Sequence, residues 1–361
     1  MLWGLTMTAS GSKVMNIESQ RAPECLMSSH GTPFFGHFDG PVTSLGLERF
    51  NYFNDMDKPA SRLSRYFNYK QFQFINIITP RFVIGVAIAD IRYAGSAFCY
   101  LYDISKNRLT ETTWLKPLGI GYELRPSPMS GVAKIASRKE KVSFTISEGV
   151  WQVSIMTANI QAEIALDATV LSLPMAMCNP TGYNGWTYTQ KHNGLKPTGK
   201  LIIDGEAQPL NRALAGYDFS AGYMRKETSW RWASINAHTH DGVLGLNLAA
   251  GVNETGCNEN VFWVNGERHL LGPVHFNFQR ATGPESLKLS QTPWRIYSDN
   301  GQLELSFTPV NCRQEKLNLL LLKSNFRQYL GYYSGYIIDN FGNKHILDNV
   351  LGLTEDHFAR W

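Results

Sequence analysis

The chain carries 361 residues, 43% hydrophobic, 12% aromatic and only 18% charged, a size that suits two domains or one large all-β unit. Its polar content comes mainly from Ser, Thr, Asn, Gln and Gly, which argues against a disordered or coiled-coil chain and for an all-β protein. Basic residues number 34 and acidic ones 30, spread without a dense block, so the net charge of +4 leaves no nucleic-acid footprint and no nucleic-acid partner is expected.

The stretch from Met1 to Gln20 has a short apolar start but neither the basic region nor the continuous apolar run of a signal peptide. No later segment approaches the run of about 18 apolar residues that a spanning helix needs, so a cytoplasmic protein without an integral membrane segment is expected. Residues 1–40, rich in Ser, Gly and Pro, read as a loosely ordered segment. Residues 59–68 predict a short helix, with Ser61 as N-cap and Leu63, Tyr66 and Phe67 at helical spacing. Farther on, Phe72, Phe74, Asn76 and Ile78 alternate with Gln71, Gln73, Ile75 and Ile77. Thr79-Pro80-Arg81 then breaks the run before Phe82, which predicts a hairpin. Ala94-Gly95-Ser96 and Ser105-Lys106-Asn107 mark the turns that follow.

From Lys141 the pattern repeats, with Val142, Phe144 and Ile146 on one face, a turn at Glu148-Gly149, a second run from Val150, and a third through Ala162, Ile164 and Leu166. Short strands separated by turn signals at spacings of about ten residues are what a meander or barrel needs. Between 174 and 198 the texture becomes dense in Pro, Gly and Asn, which predicts a domain boundary. That divides the chain into a β-barrel-like domain over 41–198 and another over 199–361. Strands then resume around turns at Asp204-Gly205, Asp241-Gly242 and Asn265-Gly266, and segments 293–309 and 329–347 continue the series.

Five scattered cysteines without a CxxC pair argue against a disulfide framework or a zinc site and fit a reducing compartment. His238 and His240 point to one side of a strand, but they abut a turn and no third ligand is identifiable, so they read as solvent-facing. Lys191 and His192, in the Gly/Asn-rich stretch, read as surface residues. No GxSxG elbow, phosphate loop or βαβ alternation stands in a convincing context. Neither a metal nor a cofactor is expected.

Several segments together resemble the family called domain of unknown function 2804. They are Tyr69 to Asp103, Gly199-Lys200-Leu201 with Asp204-Gly205, Asp218, Trp230-Arg231-Trp232-Ala233-Ser234, Thr255 to Asn260, Pro293-Trp294-Arg295-Ile296 and Gly352-Leu353-Thr354-Glu355. More distantly, the order of a Gly-led strand, a DG turn, an acid among aromatics, a W-x-W strand and a second DG turn resembles the carotenoid-hydratase and tocopherol-cyclase group. That resemblance implies two lipocalin-like antiparallel β-barrels packed together. This chain departs from that group at one place: the group has Asp-His before an aromatic, whereas Asp218 is followed directly by Phe219.

Asp218 is the first candidate catalytic residue. Tyr217, Phe219 and Tyr223 share one strand face and leave Asp218 and Ser220 on the other. A carboxyl desolvated inside a barrel could act as a general acid on an alkene, with Trp230 and Trp232 as aromatic faces for the resulting cation. Glu259, between Asn258 and Asn260, is the second candidate acid and could contact a polar head group. The expected ligand-binding set is Tyr217, Tyr223, Trp230, Trp232, Asn258 and Asn260. The expectation is a protein that binds a small hydrophobic molecule, lipid- or isoprenoid-like, with acid-assisted hydration, cyclisation or isomerisation as its reaction. A non-catalytic lipid binder and a carbohydrate-active protein with paired carboxylates are the alternatives. Oligomeric state is open.

Overall fold

The computed structural model describes residues 5–7, 13–15, 17–167, 172–252, 255–280, 292–319 and 322–361. The chain is nearly all β, with one nearly closed barrel-like sheet and a second sheet curled into a half-barrel, both antiparallel. No helix among the described residues is long and apolar enough to cross a membrane. Two compact units divide the chain: a first of Ser19–Arg225 with Thr255–Cys257, and a second of Met1–Glu18, Lys226–Glu254 and Asn258–Trp361.

The turn chemistry accounts for much of this. Glu148 and Gly149, Asp204 and Gly205, and Asn265 and Gly266 all take positive φ, the pair of conformations that closes a two-residue hairpin in register with twisted strands. The helix also forms where its cap stands, over Arg62–Asn68, with Ser61 Oγ accepting from Ser64 N at 3.1 Å.

In the first unit the strands run in the order Arg108–Pro117, Ala94–Asp103, Phe82–Asp90, Lys70–Ile78, Leu214–Gly222 and Gly185–Ile203. Ile160–Asp167, Val150–Met156, Lys141–Ser147, Gly131–Ala136 and Tyr122–Leu124 complete it. The 19-residue strand Gly185–Ile203 holds the barrel together. Its first half pairs with Met175–Thr181 and Leu214–Gly222, and its second half with Ile160–Asp167. At Gly199, φ is 115°, and a Cβ would lie 2.1 Å from the Glu163 carbonyl, so only glycine lets the two backbones approach there.

Two expectations need correction. The boundary expected at 198/199 falls inside this long strand, and the sheet changes only after Arg225. The Asn- and Gly-rich texture of 174–198 misled because its alternate residues Trp186, Tyr188, Gln190 and His192 are buried in the wall of a barrel. Within the segment expected to be loosely ordered, Leu26, Met27 and Phe38 join the core, and Gly36–Phe38 pairs with Met175–Thr181. Residues 1–4, 8–12 and 16 of that segment lie outside the described residues.

The second unit's sheet runs Glu267–Leu270, Val261–Val264, Gly242–Ala250, Glu227–Thr239, Lys344–Arg360, Leu322–Ile338, Leu303–Leu319, Trp294–Ser298 and Val274–Asn277. Its inward face carries Ala233, Ile235, Leu246, Trp294, Phe307 and Tyr333.

Candidate functional site

Period two decides which side chains enter the first barrel. On Leu214–Gly222 and just beyond it, Ala215, Tyr217, Phe219, Ala221 and Tyr223 belong to the core, as do Trp186 and Tyr188 on the neighbouring strand. Gln190 and His192 continue that inward face, and Gln71 and Gln73 share the inward face of Lys70–Ile78 with Ile75 and Ile77. Registers align the polar members in rows: Gln73, Phe219 and Gln190 stand side by side on three strands, and Ile75, Tyr217 and His192 form the next row.

These groups form a directional chain. The Val42 amide donates to Tyr188 Oη at 3.2 Å, Tyr188 Oη donates to Gln190 Oε1 at 2.9 Å, and Gln190 Nε2 donates to Tyr217 Oη at 3.0 Å. Each bond polarises the next. Tyr217 accepts at the end of the chain, which leaves its own O–H available to donate. Burial pushes its phenol up to about 12, with the Gln190 hydrogen bond opposing, so it stays protonated at neutral pH. Trp151, on Val150–Met156 three strands along the sheet, stacks on the Tyr217 ring at 4.6 Å. His192 lies opposite Tyr217 across the strand pair and bonds Ser172 Oγ through Nε2 at 2.7 Å.

Gln73 is the anomaly in this wall. It is fully buried, yet neither its amide oxygen nor its amide nitrogen has a hydrogen-bond partner among the described residues. The Trp151 indole N–H is buried in the same condition. An unsatisfied buried amide costs roughly 1–3 kcal/mol, which a fold tolerates where a bound group supplies the missing partner.

Asp218 lies on the opposite face of its strand. It pairs with its cross-strand neighbour Lys191 at 2.7 Å and accepts from Ser220 Oγ at 3.0 Å, and Ser220 Oγ in turn bonds Thr189 Oγ1 at 2.7 Å. Lys191 and His192, read from the sequence as surface residues, are both buried. The structure therefore commits Asp218 to accepting hydrogen bonds and brings only Tyr217 of the expected set into the chain just described. Tyr223 joins an aromatic box with Phe50 at 4.9 Å and Tyr52 at 4.5 Å.

The remaining expected residues belong to the second unit. The Trp230 indole donates to Glu355 Oε2 at 3.0 Å, and the Trp232 indole donates to Asn247 Oδ1 at 2.7 Å. Asn247 donates onward to the Glu259 carbonyl at 2.7 Å, and Glu259 is buried. Asn258 accepts from the Asn260 amide, while the Asn260 side chain accepts from Ala249 N and donates to the Gly272 carbonyl. Trp232, Glu259, Asn258 and Asn260 are thus gathered, with the two asparagine side chains bonded to the backbone. Among the described residues no group of His, Cys, Asp and Glu could hold a metal ion.

Sequence reasoning gave no site role to Gln73, Gln190 and Ser172, and read the buried His192 as a surface residue. The signal was there for three of them: Trp186-x-Tyr188-x-Gln190-x-His192 is a period-two run, as is Gln71-x-Gln73-x-Ile75.

The fold has solved counterparts. CghA, crystallised with Sch210972, superposes with a TM-score of 0.54 at 10% identity, over 93% of this chain and 97% of its own. A candidate AttH from Nitrosomonas europaea superposes at 0.50 with 13% identity, over 81% of this chain and 92% of its own. Kievitone hydratase from Nectria haematococca gives 0.48 at 12% identity, over 81% and 88%. At these identities the likeness is one of fold. No curated protein matches the sequence. The model of one family, described as a domain of unknown function, does match over residues 18–361, and the chain belongs to that family, DUF2804.

Proposed function

We propose that the first barrel binds a small hydrophobic molecule bearing a carbonyl or hydroxyl group. The observation that carries this reading is Gln73, a fully buried amide whose two hydrogen-bonding atoms have no partner among the described residues, one row from Tyr217. The ligand's oxygen would accept from Tyr217 and from the Gln73 amide, and its apolar body would lie against Trp151 and Phe219. A member of the same fold, CghA, has been crystallised with Sch210972.

The chemistry we assign is cofactor-independent hydration, cyclisation or isomerisation. A phenol held protonated by burial is too weak an acid to protonate an isolated alkene, but it polarises a carbonyl as an oriented donor. That favours reactions conjugated to a carbonyl. His192, facing Tyr217, is the group we assign to accept or return a proton. Asp218 acts from the other face of the strand as a positioning residue, holding it through Lys191. Glu259 and its asparagine neighbours have no part in this reaction.

Native mass spectrometry of the purified protein, followed by extraction of the bound molecule, tests the reading. The expected adduct is uncharged and apolar with at least one oxygen, and Gln73→Leu and Tyr217→Phe each lose it. An adduct retained by both variants, or a sugar in its place, would overturn the assignment. A ligand recovered unchanged after prolonged incubation would leave a carrier instead of an enzyme.

A further inference from the structure

A cluster of arginines around one carboxylate lies on the inward face of the second unit, with chemistry unlike that of the first barrel. Cross-strand register places Arg231, Asp356, Arg327 and Gln314 in one row over four adjacent strands. Ala233, one row away, belongs to the core, so the whole row faces inward. Arg280 reaches the same carboxylate from the segment after Val274–Asn277. It grips Asp356 with two parallel bonds, one from Nε at 2.7 Å and one from Nη2 at 2.5 Å. Arg327 Nη1 lies 3.3 Å from the Asp356 carboxylate and Arg231 Nε 3.7 Å from it.

Three guanidiniums therefore converge on one carboxylate, and among the described residues no second carboxylate pairs with any of them. A guanidinium has five N–H donors and a carboxylate about four acceptor sites, so one acid leaves most of this donor set unspent. The cluster is graded in exposure. Asp356 and Arg327 form the floor at 5% and 6% side-chain exposure, and Arg231 and Arg280 form the rim at 31% and 44%.

The wall beside the rim is aromatic. Phe278 lies face to face on Trp294 at 3.8 Å and 8°, and Trp294 meets the edge of Tyr329 at 5.2 Å. The Arg280 and Arg231 guanidiniums stand 5.5 and 6.0 Å from the Phe278 ring. Positive forks beside a flat apolar wall are the two halves of a receptor for an amphipathic anion.

We propose that this arginine cluster binds a carboxylate carried on an apolar, planar body. The carboxylate would join Asp356 among the three guanidiniums, and the body would lie along Phe278, which Trp294 backs from the core. Asp356 is the template for the assignment, because its bidentate grip by Arg280 is carboxylate geometry. It also acts as the built-in counter-ion that orders the arginines while the site is empty. This ligand is distinct from the uncharged molecule assigned to the first barrel, and the inference stands without it.

Calorimetric titration with 1-naphthoate tests the proposal, with 1-naphthylmethanol as the uncharged analogue and benzenephosphonate as the competing oxyanion. Saturable one-to-one binding of naphthoate is expected, with the alcohol at least about tenfold weaker and the phosphonate weaker than naphthoate. Raising salt from 0.1 to 0.5 M weakens it, since the rim charges are partly solvated. The double variant Arg231→Gln, Arg280→Gln changes rim residues and is expected to lose at least about tenfold in affinity. Arg280→Lys, which keeps the charge but not the fork, gives a smaller loss and covers the case in which the double variant misfolds. Equal affinity for acid and alcohol, or wild-type affinity in Arg280→Lys and the double variant, would overturn the proposal. Tighter binding of the phosphonate would overturn the choice of carboxylate.

Discussion

Gln73 and Asp356 are both buried on the inward face of an antiparallel sheet, but their surroundings are opposite. The Gln73 amide has no hydrogen-bond partner among the described residues, whereas Asp356 is met by three guanidiniums. Around Gln73 the polar groups are uncharged and end in the hydroxyl of Tyr217. Around Asp356 they are charged and turned on one another. The same pleated architecture therefore supports two regimes: in one a polar group is left open at a cost to the fold, and in the other it is over-supplied with partners and secures it. The first is the signature of a site awaiting an uncharged partner, and the second of a site that carries its own counter-ion.

Asp356→Ala is the sharpest way to break this contrast. It removes the only carboxylate that pairs with the three arginines among the described residues, including the buried Arg327, and is expected to destabilise the second unit by about 3–5 kcal/mol. Urea denaturation followed by tryptophan fluorescence measures this. A loss below about 1 kcal/mol would show that the cluster is solvated and contributes little.

Gln73→Leu is expected to act in the opposite direction. Replacing an unsatisfied amide by an apolar side chain of similar size removes a desolvation penalty, so the ligand-free protein should gain about 1–3 kcal/mol while ligand retention falls. Stability and binding moving apart is the informative outcome, because a Gln73 that merely filled space would leave binding unchanged. A loss of stability in the same denaturation experiment would mean that the wild-type amide is satisfied in solution.

Much of the contrast between the units was legible in the sequence only after the register was known. Turns at Glu148-Gly149, Asp204-Gly205 and Asn265-Gly266 were readable because positive φ at two successive residues selects Asn, Asp and Gly locally. The Ser61 cap was readable for the same reason: its partner lies three residues away. The sequence also separated the faces of Leu214–Gly222 correctly, placing Asp218 opposite Tyr217 and Phe219. It could not say which face turns inward, because both are buried and period two alone does not distinguish them. Residues 174–198 misled for a different reason. Asn and Gly usually mark loops, but here they sit among inward-facing aromatics on a strand held by pairing partners on both sides. The arginine cluster had no local signature at all, since its members come from separate strands and a connecting segment and meet only through cross-strand register.

The smallest expected effect separates the units by pH. Alkali does not distinguish them: burial raises the phenols of Tyr188 in the first unit and Tyr333 in the second above the ordinary tyrosine value. Stability from such groups is present below about pH 10 and lost above it, where only the unfolded chain ionises. Acid is different. His357 is enclosed by Trp230 at 4.2 Å and Phe326 at 4.8 Å, and bonds Ser324 Oγ at 2.9 Å. Burial pushes its imidazole down to about 3, with Asp356 opposing that shift and Arg313 adding to it. As pH falls below the unfolded value of about 6.5, the unfolded chain takes up a proton that the folded ring refuses until about pH 3. Stability therefore declines across that window by at most about 1.4 kcal/mol per pH unit. Held carboxylates such as Asp103 in the first unit and Asp241 in the second contribute only at lower pH, because their folded values lie below the ordinary aspartate range. Between about pH 4 and 6.5, His357→Gln should flatten the loss of stability that the wild-type second unit shows. Unfolding monitored at pH 7 and pH 5.5 measures the difference. Identical pH slopes in variant and wild type would mean that the ring is hydrated and that the aromatic enclosure does not exclude its charge.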